Sequence, residues 1–441
     1  MFKTFRKALE VAEIRKRMLF TFLMLVLVRV GCQIPTPGIN PDVVSSWLAS
    51  QNSSAFNFFN TITGSSFSTM SIFALSISPY ITSSIIVQLL TIAIPKLEEL
   101  SKEGEEGRKV INQITRYGTV VLALIQSISM AIGFGSSYLT NYTWYNVIMV
   151  GIVMTAGSAF LMWIGERITD RGVGNGISVI LLINILSSLP QDFMTMYNTF
   201  IRDKNVVVGI LIALLILVLI FALVVFVVYL QDGERRIPVQ YAQRMSGRRL
   251  IGGQSSNIPI KVNTAGVIPV IFASSLLSLP GIIAAFAGVN TTNPTSVGGH
   301  IIKGLSQGSW CNPEEPIYTL GLLLYIVLLI FFAYFYTSIT FNPMEISNNM
   351  KKNGGFIPGI RPGKPTSEFI EKILNYIIFI GAIGLLIVAV IPIVLTGITG
   401  VGSSLCFFGT SLIIIVGVVI EIIKQVESMM VVRNYKGFLN D

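Results

Sequence analysis

Long apolar stretches alternate with short polar or charged segments along almost the whole chain. An α-helix needs ~20 apolar residues to cross the ~30 Å hydrocarbon core of a bilayer. This pattern predicts ten such spans, at 18–36, 72–95, 114–135, 143–166, 175–197, 207–230, 264–288, 317–340, 371–393 and 404–423. The fold class is therefore predicted to be an all-α polytopic membrane protein with ten transmembrane helices.

One uncharged stretch, residues 43–95, does not have the composition of a single lipid-facing span. Its second part, from Pro79, is apolar enough to help cross a bilayer, but its first part, 55–78, is rich in Ser, Thr and Asn and contains Gly64. Such hydroxyl-rich backbone at membrane depth is tolerated only where protein or a water-filled cavity surrounds it. The sequence therefore predicts that the chain encloses a cavity or a pathway.

Composition and charge placement support this interpretation and give it an orientation. The chain has 441 residues, of which 52% are hydrophobic and only 12% are charged, with a mean hydropathy of +0.71. Most of the 31 Lys and Arg fall in segments on one side of the predicted spans, the exceptions being Arg29, Arg202, Lys204 and Lys303. By the positive-inside rule, both termini are predicted to be cytoplasmic.

Five spans in each half of the chain allow an inverted-repeat architecture, although no repeat is visible in residue identities. The predicted organisation has an amphipathic N-terminus, two helical halves and a cytoplasmic tail, at 1–17, 18–200, 201–425 and 426–441.

Two cytoplasmic loops, 231–262 and 341–370, are long, basic and rich in Gly and Pro. Loops of this composition can form hairpins or short helices. They have two interpretations: positive-inside anchoring alone, or a docking surface for an acidic or nucleic-acid-bearing partner. Their length favours docking, because anchoring needs only a few residues.

The sequence carries no pattern typical of an enzyme or of an ion-coupled transporter. His300 is the only histidine, and Gly363-Lys364 lacks the preceding glycine of a phosphate loop. Proton- and ion-coupled transporters usually keep ionisable side chains at mid-membrane, and the main candidate here, Arg29, is expected to snorkel outward from the first span. A neutral conduit suits a large and chemically varied substrate. A secondary transporter with inverted repeats and a scaffold or insertase without a pore are the alternative interpretations.

Several motifs resemble those of the SecY family, the central subunits of bacterial protein-conducting channels. They are MSIFALSISPYITSSIIVQLLTIAIP, KEGEEGRKVINQITRYGT, DRGVGNGIS, RRIPVQYAQRMSGRR, KVNTAGVIPVIFASSLLSLP and GGFIPGIRPGKPT, spread from residue 70 to 366. The resemblance implies a channel that translocates unfolded secretory polypeptides across the plasma membrane and releases transmembrane segments laterally into lipid. It implies no catalytic activity and no cofactor.

The resemblance also implies two pseudo-symmetric halves around an hourglass pore that is closed by a re-entrant half-helix, the plug. The plug is expected at about 56–69, with the second span beginning near Ser71, and its candidate residues are Phe58, Phe59, Thr61, Thr63, Gly64, Ser65 and Phe67. The pore ring is expected to consist of Ile81, Ile85, Leu181, Ile185, Ile271 and Ile414. Leu181 departs from the isoleucine that the family prefers. Apart from the resemblance, plain helix packing is the more ordinary role of such aliphatic side chains.

A lateral gate toward lipid is expected between the second and third spans on one side and the seventh and eighth on the other. Its polar candidates are Gln88, Asn263, Thr264 and Ser274, for which static interhelical hydrogen bonding is an equal alternative. The implied partners are the SecA motor and the ribosome at the cytoplasmic loops, together with the small subunits SecE and SecG. The candidate docking residues are Arg235, Arg236, Arg244, Arg248, Arg249, Arg361 and Lys364.

Overall fold

The computed structural model describes residues 10–40, 43–44, 46, 60–134, 142–202, 206–241, 244–246, 249–251, 255–286, 297–306, 309–311, 315–399 and 407–437. Its helices are α1 (Ala12–Gly31), α2 (Ser78–Ala93), α3 (Pro95–Lys102), α4 (Glu105–Phe134), α5 (Trp144–Arg171), α6 (Gly176–Phe200), α7 (Val206–Asp232), α8 (Ile268–Phe286), α9 (Val297–Leu305), α10 (Leu320–Thr340), α11 (Pro343–Lys352), α12 (Lys364–Thr399) and α13 (Phe407–Gly437). A 3-10 turn, Pro316–Thr319, precedes α10. The strands are β1 (Glu234–Tyr241), β2 (Arg244–Ser246), β3 (Arg249–Ile251), β4 (Ser255–Lys261) and β5 (Gly355–Phe356).

Every predicted span overlaps one of these helices, so the helical fold class is confirmed. Within the described residues, 6 helices are each long and apolar enough to cross a membrane, and up to 7 crossings result if α2 and α3, bent by 108° at their break, form one span. The helices α1, α8 and α13 coincide with the remaining predicted spans. The count of ten stays a prediction.

The order of helix packing repeats between the two halves of the chain. In the first half α2 packs on α4, α4 on α5, and α5 on α6; in the second half α8 packs on α10, α10 on α12, and α12 on α13. The first helix of each half, α1 or α7, packs on the last two helices of its own half. This repeat agrees with two pseudo-symmetric halves, which meet where α8 contacts α4 and α13 contacts α6.

The second span begins later than predicted. Its helix, α2, starts at Ser78 and not near Ser71, because the residues before it form hydrogen-bonded turns. Left-handed backbone at Ser65 (φ 67°), Met70 (φ 45°) and Ser76 (φ 50°) excludes a continuous helix there. Pro79 then lies in the first turn of α2, where its missing N–H costs no hydrogen bond.

The predicted plug is helical only over residues 60–63 among its described residues, and 64–69 are turns. Residues 56–59 lie outside the described part of the chain. The end of this segment is tied to the end of α1 by a bridge between Pro35 and Ser71 and by a hydrogen bond of 3.0 Å from Ile72 N to Ile34 O. The turn region is therefore hydrogen-bonded at its end to the segment that follows α1.

The two basic loops form one small β unit, as the prediction of hairpins and short helices allowed. Strands β1 and β4 form an antiparallel hairpin in the first loop, and β5 of the second loop pairs with β1, which gives the order β4-β1-β5. On the inner face, Ile237, Val239 and Ile260 are buried against α12. The short helix α11 is capped by the Asn342 side chain, which accepts from Met344 N.

Candidate functional site

An apolar cluster joins the two halves of the protein. It contains Ile81 of α2, Ile185 of α6, Ile271 of α8 and Ile414 of α13, four of the six residues proposed for the pore ring. The exposed fraction is only 1% for Ile185, 8% for Ile271 and 3% for Ile414. Ile81 and Ile414, which lie in the first and the second half of the chain, thus pack into the same cluster.

The other two ring candidates lie beside this cluster. Leu181 is buried in a neighbouring cluster that also contains Ile81, so that Ile81 contacts both groups. Ile85 is half-buried and is a member of neither cluster. Residues four apart share a helix face, and for this reason Leu181 and Ile185 lie one turn apart on the same side of α6.

The chemistry of this cluster is that of a hydrophobic seal. Branched alkyl groups offer no hydrogen bonds to water, so a constriction that they line dewets and blocks ions. Because apolar contacts are not directional, the same side chains are able to surround side chains of different shape.

The uncharged, hydroxyl-rich segment packs against the neighbouring cluster that contains Leu181. Thr61, Thr63 and Phe67 are buried, and Ile62 belongs to the same cluster as Leu181. Gly64 and Ser65 adopt left-handed φ angles of 66° and 67°. Phe58 and Phe59, the two remaining plug candidates, lie outside the described residues.

Arg29 holds this segment from α1. Its Nη1 donates to the Gly64 carbonyl oxygen over 3.2 Å. Arg29 therefore has a main-chain partner within the protein, and the expectation that it snorkels outward stays a prediction. A Cβ at Gly64 would lie 2.7 Å from Arg29 Nη1 and 2.9 Å from Asn184 Cα, so this close approach requires glycine.

Asn184, which the sequence reasoning missed, holds the same segment from α6. Its Nδ2 donates to the Ile62 carbonyl oxygen over 3.2 Å and to Ser76 Oγ over 3.1 Å. Ser158 of α5 adds a bond of 3.0 Å from its Oγ to the Ser76 carbonyl oxygen. A lone Asn in the apolar run LLINIL was the available signal, since a buried amide requires polar partners.

The lateral-gate candidates are distributed over two elements. Asn263 Nδ2 donates to the Gly266 carbonyl oxygen over 3.0 Å, and Thr264 Oγ1 donates to the Lys261 carbonyl oxygen over 2.8 Å, so both bonds lie within the turn before α8. Ser274 is fully buried on α8, and Gln88 is half-buried on α2. The contact between α8 and α4 brings the two sides of the expected gate together.

The docking candidates lie on the β unit and on the segments that adjoin it. Arg235 and Arg236 are exposed on β1, and Arg361 is exposed in the turn that follows β5, the strand that pairs with β1. Lys364 at the start of α12 lies 4.0 Å from Glu368. Arg244 and Arg249 belong to the β2–β3 hairpin, and Arg248 lies outside the described residues.

Two similar helical halves, joined by a neutral aliphatic cluster and holding a buried polar segment, form the kind of bundle found in membrane channels. The SecY family profile matches residues 71–423. Protein translocase subunit SecY of Halalkalibacterium halodurans is 41% identical over 445 residues that cover 100% of both chains. The SecY subunit of Thermus thermophilus is 41% identical over 451 residues, covering 100% of this chain and 98% of its own. The chain belongs to the SecY family.

Solved structures show the same fold at lower sequence identity. A protein-conducting channel matches with a TM-score of 0.62 and 19% identity, over 95% of this chain and 93% of its own. Sec61 in a canine ribosome–channel complex from the endoplasmic reticulum matches with a TM-score of 0.59 and 18% identity, over the same shares of the two chains.

Proposed function

We propose that this chain is the channel subunit through which unfolded secretory polypeptides cross the plasma membrane, and from which transmembrane segments enter the lipid. The observation that carries this proposal is the aliphatic cluster built by four helices from both halves. Full-length relatives named protein translocase subunit SecY support it. The chain itself is not an enzyme, and a partner motor or the ribosome supplies the energy for movement.

The aliphatic cluster is the pore ring, and the segment at about 56–69 is the plug that closes it at rest. Burial of Thr63 and Phe67 and the bonds from Arg29 and Asn184 support a closed resting position. A polypeptide entering from the cytoplasm displaces the plug and passes through the ring. The aliphatic side chains then close around the moving chain and keep ions out.

The lateral gate lies between α2 and α4 on one side and α8 and α10 on the other. Hydrogen bonds between polar side chains in lipid-facing interfaces are worth only ~1 kcal/mol each, so an apolar signal helix is able to replace them. Gln88 and Ser274 lie on the gate helices, and Asn263 and Thr264 shape the turn before α8. The contact between α8 and α4 supports this placement.

The β unit is the docking surface for SecA and the ribosome, with Arg361, Arg235 and Arg236 as its leading contacts. Exposed guanidinium groups on a rigid sheet suit carboxylates and phosphates, which they bind in bidentate geometry. SecE and SecG complete the complex in the bacterial plasma membrane. Both termini, together with this surface, face the cytoplasm, and the two halves, 18–200 and 201–425, clamp around the pore.

Crosslinking from the ring to a stalled secretory chain tests the proposal. A photoreactive amino acid at Ile185, which is 1% exposed, is compared with the same probe at Leu186, which is 39% exposed on the neighbouring face of α6. We expect strong adducts with the stalled chain from position 185 and few from position 186. Equal labelling from both positions, or none from position 185, would contradict a pore at this cluster.

A further inference from the structure

Two side chains hold the plug only by groups that every polypeptide carries. Arg29 Nη1 donates to the carbonyl oxygen of Gly64, and Asn184 Nδ2 donates to the carbonyl oxygen of Ile62. Neither contact involves a side chain of residues 60–64. The same two donors are therefore able to bind the main chain of an unrelated sequence.

Asn184 also has the position and the chemical groups that binding a main chain requires. It directly precedes Ile185 of the aliphatic cluster and is 1% exposed. Among the residues that the structure describes, no donor reaches its Oδ1 within hydrogen-bonding distance. A carboxamide with an engaged donor and an unused acceptor is complementary to a peptide group, which offers one C=O and one N–H.

We propose that Arg29 and Asn184 form a main-chain binding subsite for the translocating polypeptide, immediately beside the ring. The inference rests on the proposed channel function. When the plug leaves, both donors lose these carbonyl partners, and Asn184 Nδ2 keeps only its bond to Ser76 Oγ. A donor left without a partner in a buried or partly buried position is costly. The moving chain supplies carbonyl oxygens in their place and an N–H for Asn184 Oδ1. Because only main-chain atoms are bound, the contact is independent of sequence and lasts no longer than one peptide step.

Back-sliding of a stalled chain measures this contact without involving the plug, since the chain already occupies the pore. A secretory chain is stalled halfway in the reconstituted full-length complex, ATP is removed, and the loss of the protease-protected fragment is followed over time. Asn184→Leu keeps the shape of the side chain and removes its polar atoms, and Arg29→Gln shortens and neutralises the other donor. We expect back-sliding to accelerate about fivefold for each hydrogen bond lost.

Two comparisons make the result specific. Ser127→Ala removes a buried hydrogen bond of 3.0 Å to the Gly151 carbonyl oxygen between α4 and α5, away from the pore, and should leave the back-sliding rate unchanged. Stalled segments of Gly and Ser and segments of aliphatic residues should show the same acceleration, because the main chain is common to both. Parental rates in both Asn184→Leu and Arg29→Gln would overturn the inference, as would an acceleration that depends on the stalled side chains.

The outcome is separable from that of the channel proposal. Crosslinking from position 185 shows independently whether the stalled chain occupies the pore. If it does and back-sliding is unchanged in the variants, only the subsite is refuted. If Asn184→Leu fails to assemble, the rate measured for Arg29→Gln decides alone.

Discussion

Arg116 Nε lies 2.6 Å from Glu166 Oε1, and this ion pair joins α4 to α5 within the first half of the protein. The side chains are 49% and 25% exposed, so solvent screens the pair only in part. Removing one partner leaves the other charge at the edge of an apolar bundle without the counter-charge that this pair supplies.

We therefore expect Arg116→Gln to lower the free energy of unfolding by ~1 kcal/mol, measured as a lower thermal midpoint in detergent. The double variant Arg116→Gln/Glu166→Gln should recover part of that loss, because it removes the unpaired charge. Arg17→Gln is the matched control, as Arg17 pairs with exposed Glu13 at 3.8 Å. Equal losses in Arg116→Gln and Arg17→Gln would show that the α4–α5 pair adds nothing.

Gly64 lies at a tightly packed position of the described plug segment. Its φ of +66° costs ~1 kcal/mol or more for any residue with a Cβ, and that Cβ would meet Asn184 Cα at 2.9 Å. We expect Gly64→Ala to displace the plug and raise the resting ion conductance of the channel severalfold in planar bilayers.

Gly266→Ala provides a control with nearly the same backbone. Gly266 has a φ of +65°, but no atom lies within 4 Å of its added Cβ. This variant should lose a similar amount of stability through backbone strain and keep the parental conductance. If both variants leak equally, strain and not the contact with Asn184 governs closure.

Much of the helical framework could be predicted from the sequence, because apolar runs of the right length determine where helices form in a membrane protein. The ring candidates Ile81, Ile185, Ile271 and Ile414 lay in recognisable motifs on those helices, and the structure brings them together. Their role as a ring and the roles of the gate and docking residues stay predictions.

What the sequence could not reveal depends on contacts between distant residues. The acceptor of Arg29 lies 35 positions along the chain, and the Ile62 carbonyl that Asn184 binds lies 122 positions away, so neither side chain could be oriented from its own helix. The start of α2 at Ser78, later than the sequence predicts, has a related cause. Hydrogen bonds to the segment that follows α1 and to Ser158 of α5 hold residues 64–77 in turns, so the helix begins only after them.

Cys311 offers a prediction that depends on pH. Burial raises the pKa of its thiol, because a low-dielectric environment disfavours the thiolate. The thiolate is the nucleophile, so alkylation by iodoacetamide at neutral pH should be slower than for an exposed thiol, and its rate should still rise at a pH where an exposed thiol has reached its plateau. Folding favours the protonated Cys311 thiol. Its contribution to the stability of the folded protein is therefore complete at a pH below the pKa of the thiol in the unfolded chain, and is lost as the pH rises through the pKa of the thiol in the folded protein.

Peptide mapping by mass spectrometry follows the modification of Cys311 alone. An Ile317→Cys variant supplies the exposed reference, since Ile317 is 78% exposed in the same region. Alkylation of the two thiols with the same dependence on pH would contradict the raised pKa of Cys311.

Arg361 is the residue at which the docking proposal is most sharply tested. It is exposed in the turn between β5 and α12, and the Thr366 hydroxyl fixes that turn by donating to the Arg361 carbonyl oxygen over 2.8 Å. Because the main chain is held independently of the guanidinium, Arg361→Glu should change the charge of the surface and leave the fold intact. Hydrogen bonds to charged groups contribute ~1.5–3 kcal/mol, so we expect at least a tenfold loss in affinity for the motor. Motor-driven secretion into membrane vesicles should be blocked, with membrane insertion of the channel unchanged.

Arg202→Glu is the control, because Arg202 is exposed and is predicted to lie on the opposite side of the membrane. This variant should retain parental secretion in the same vesicle assay. Equal secretion by the Arg361→Glu and Arg202→Glu variants would remove Arg361 from the docking surface.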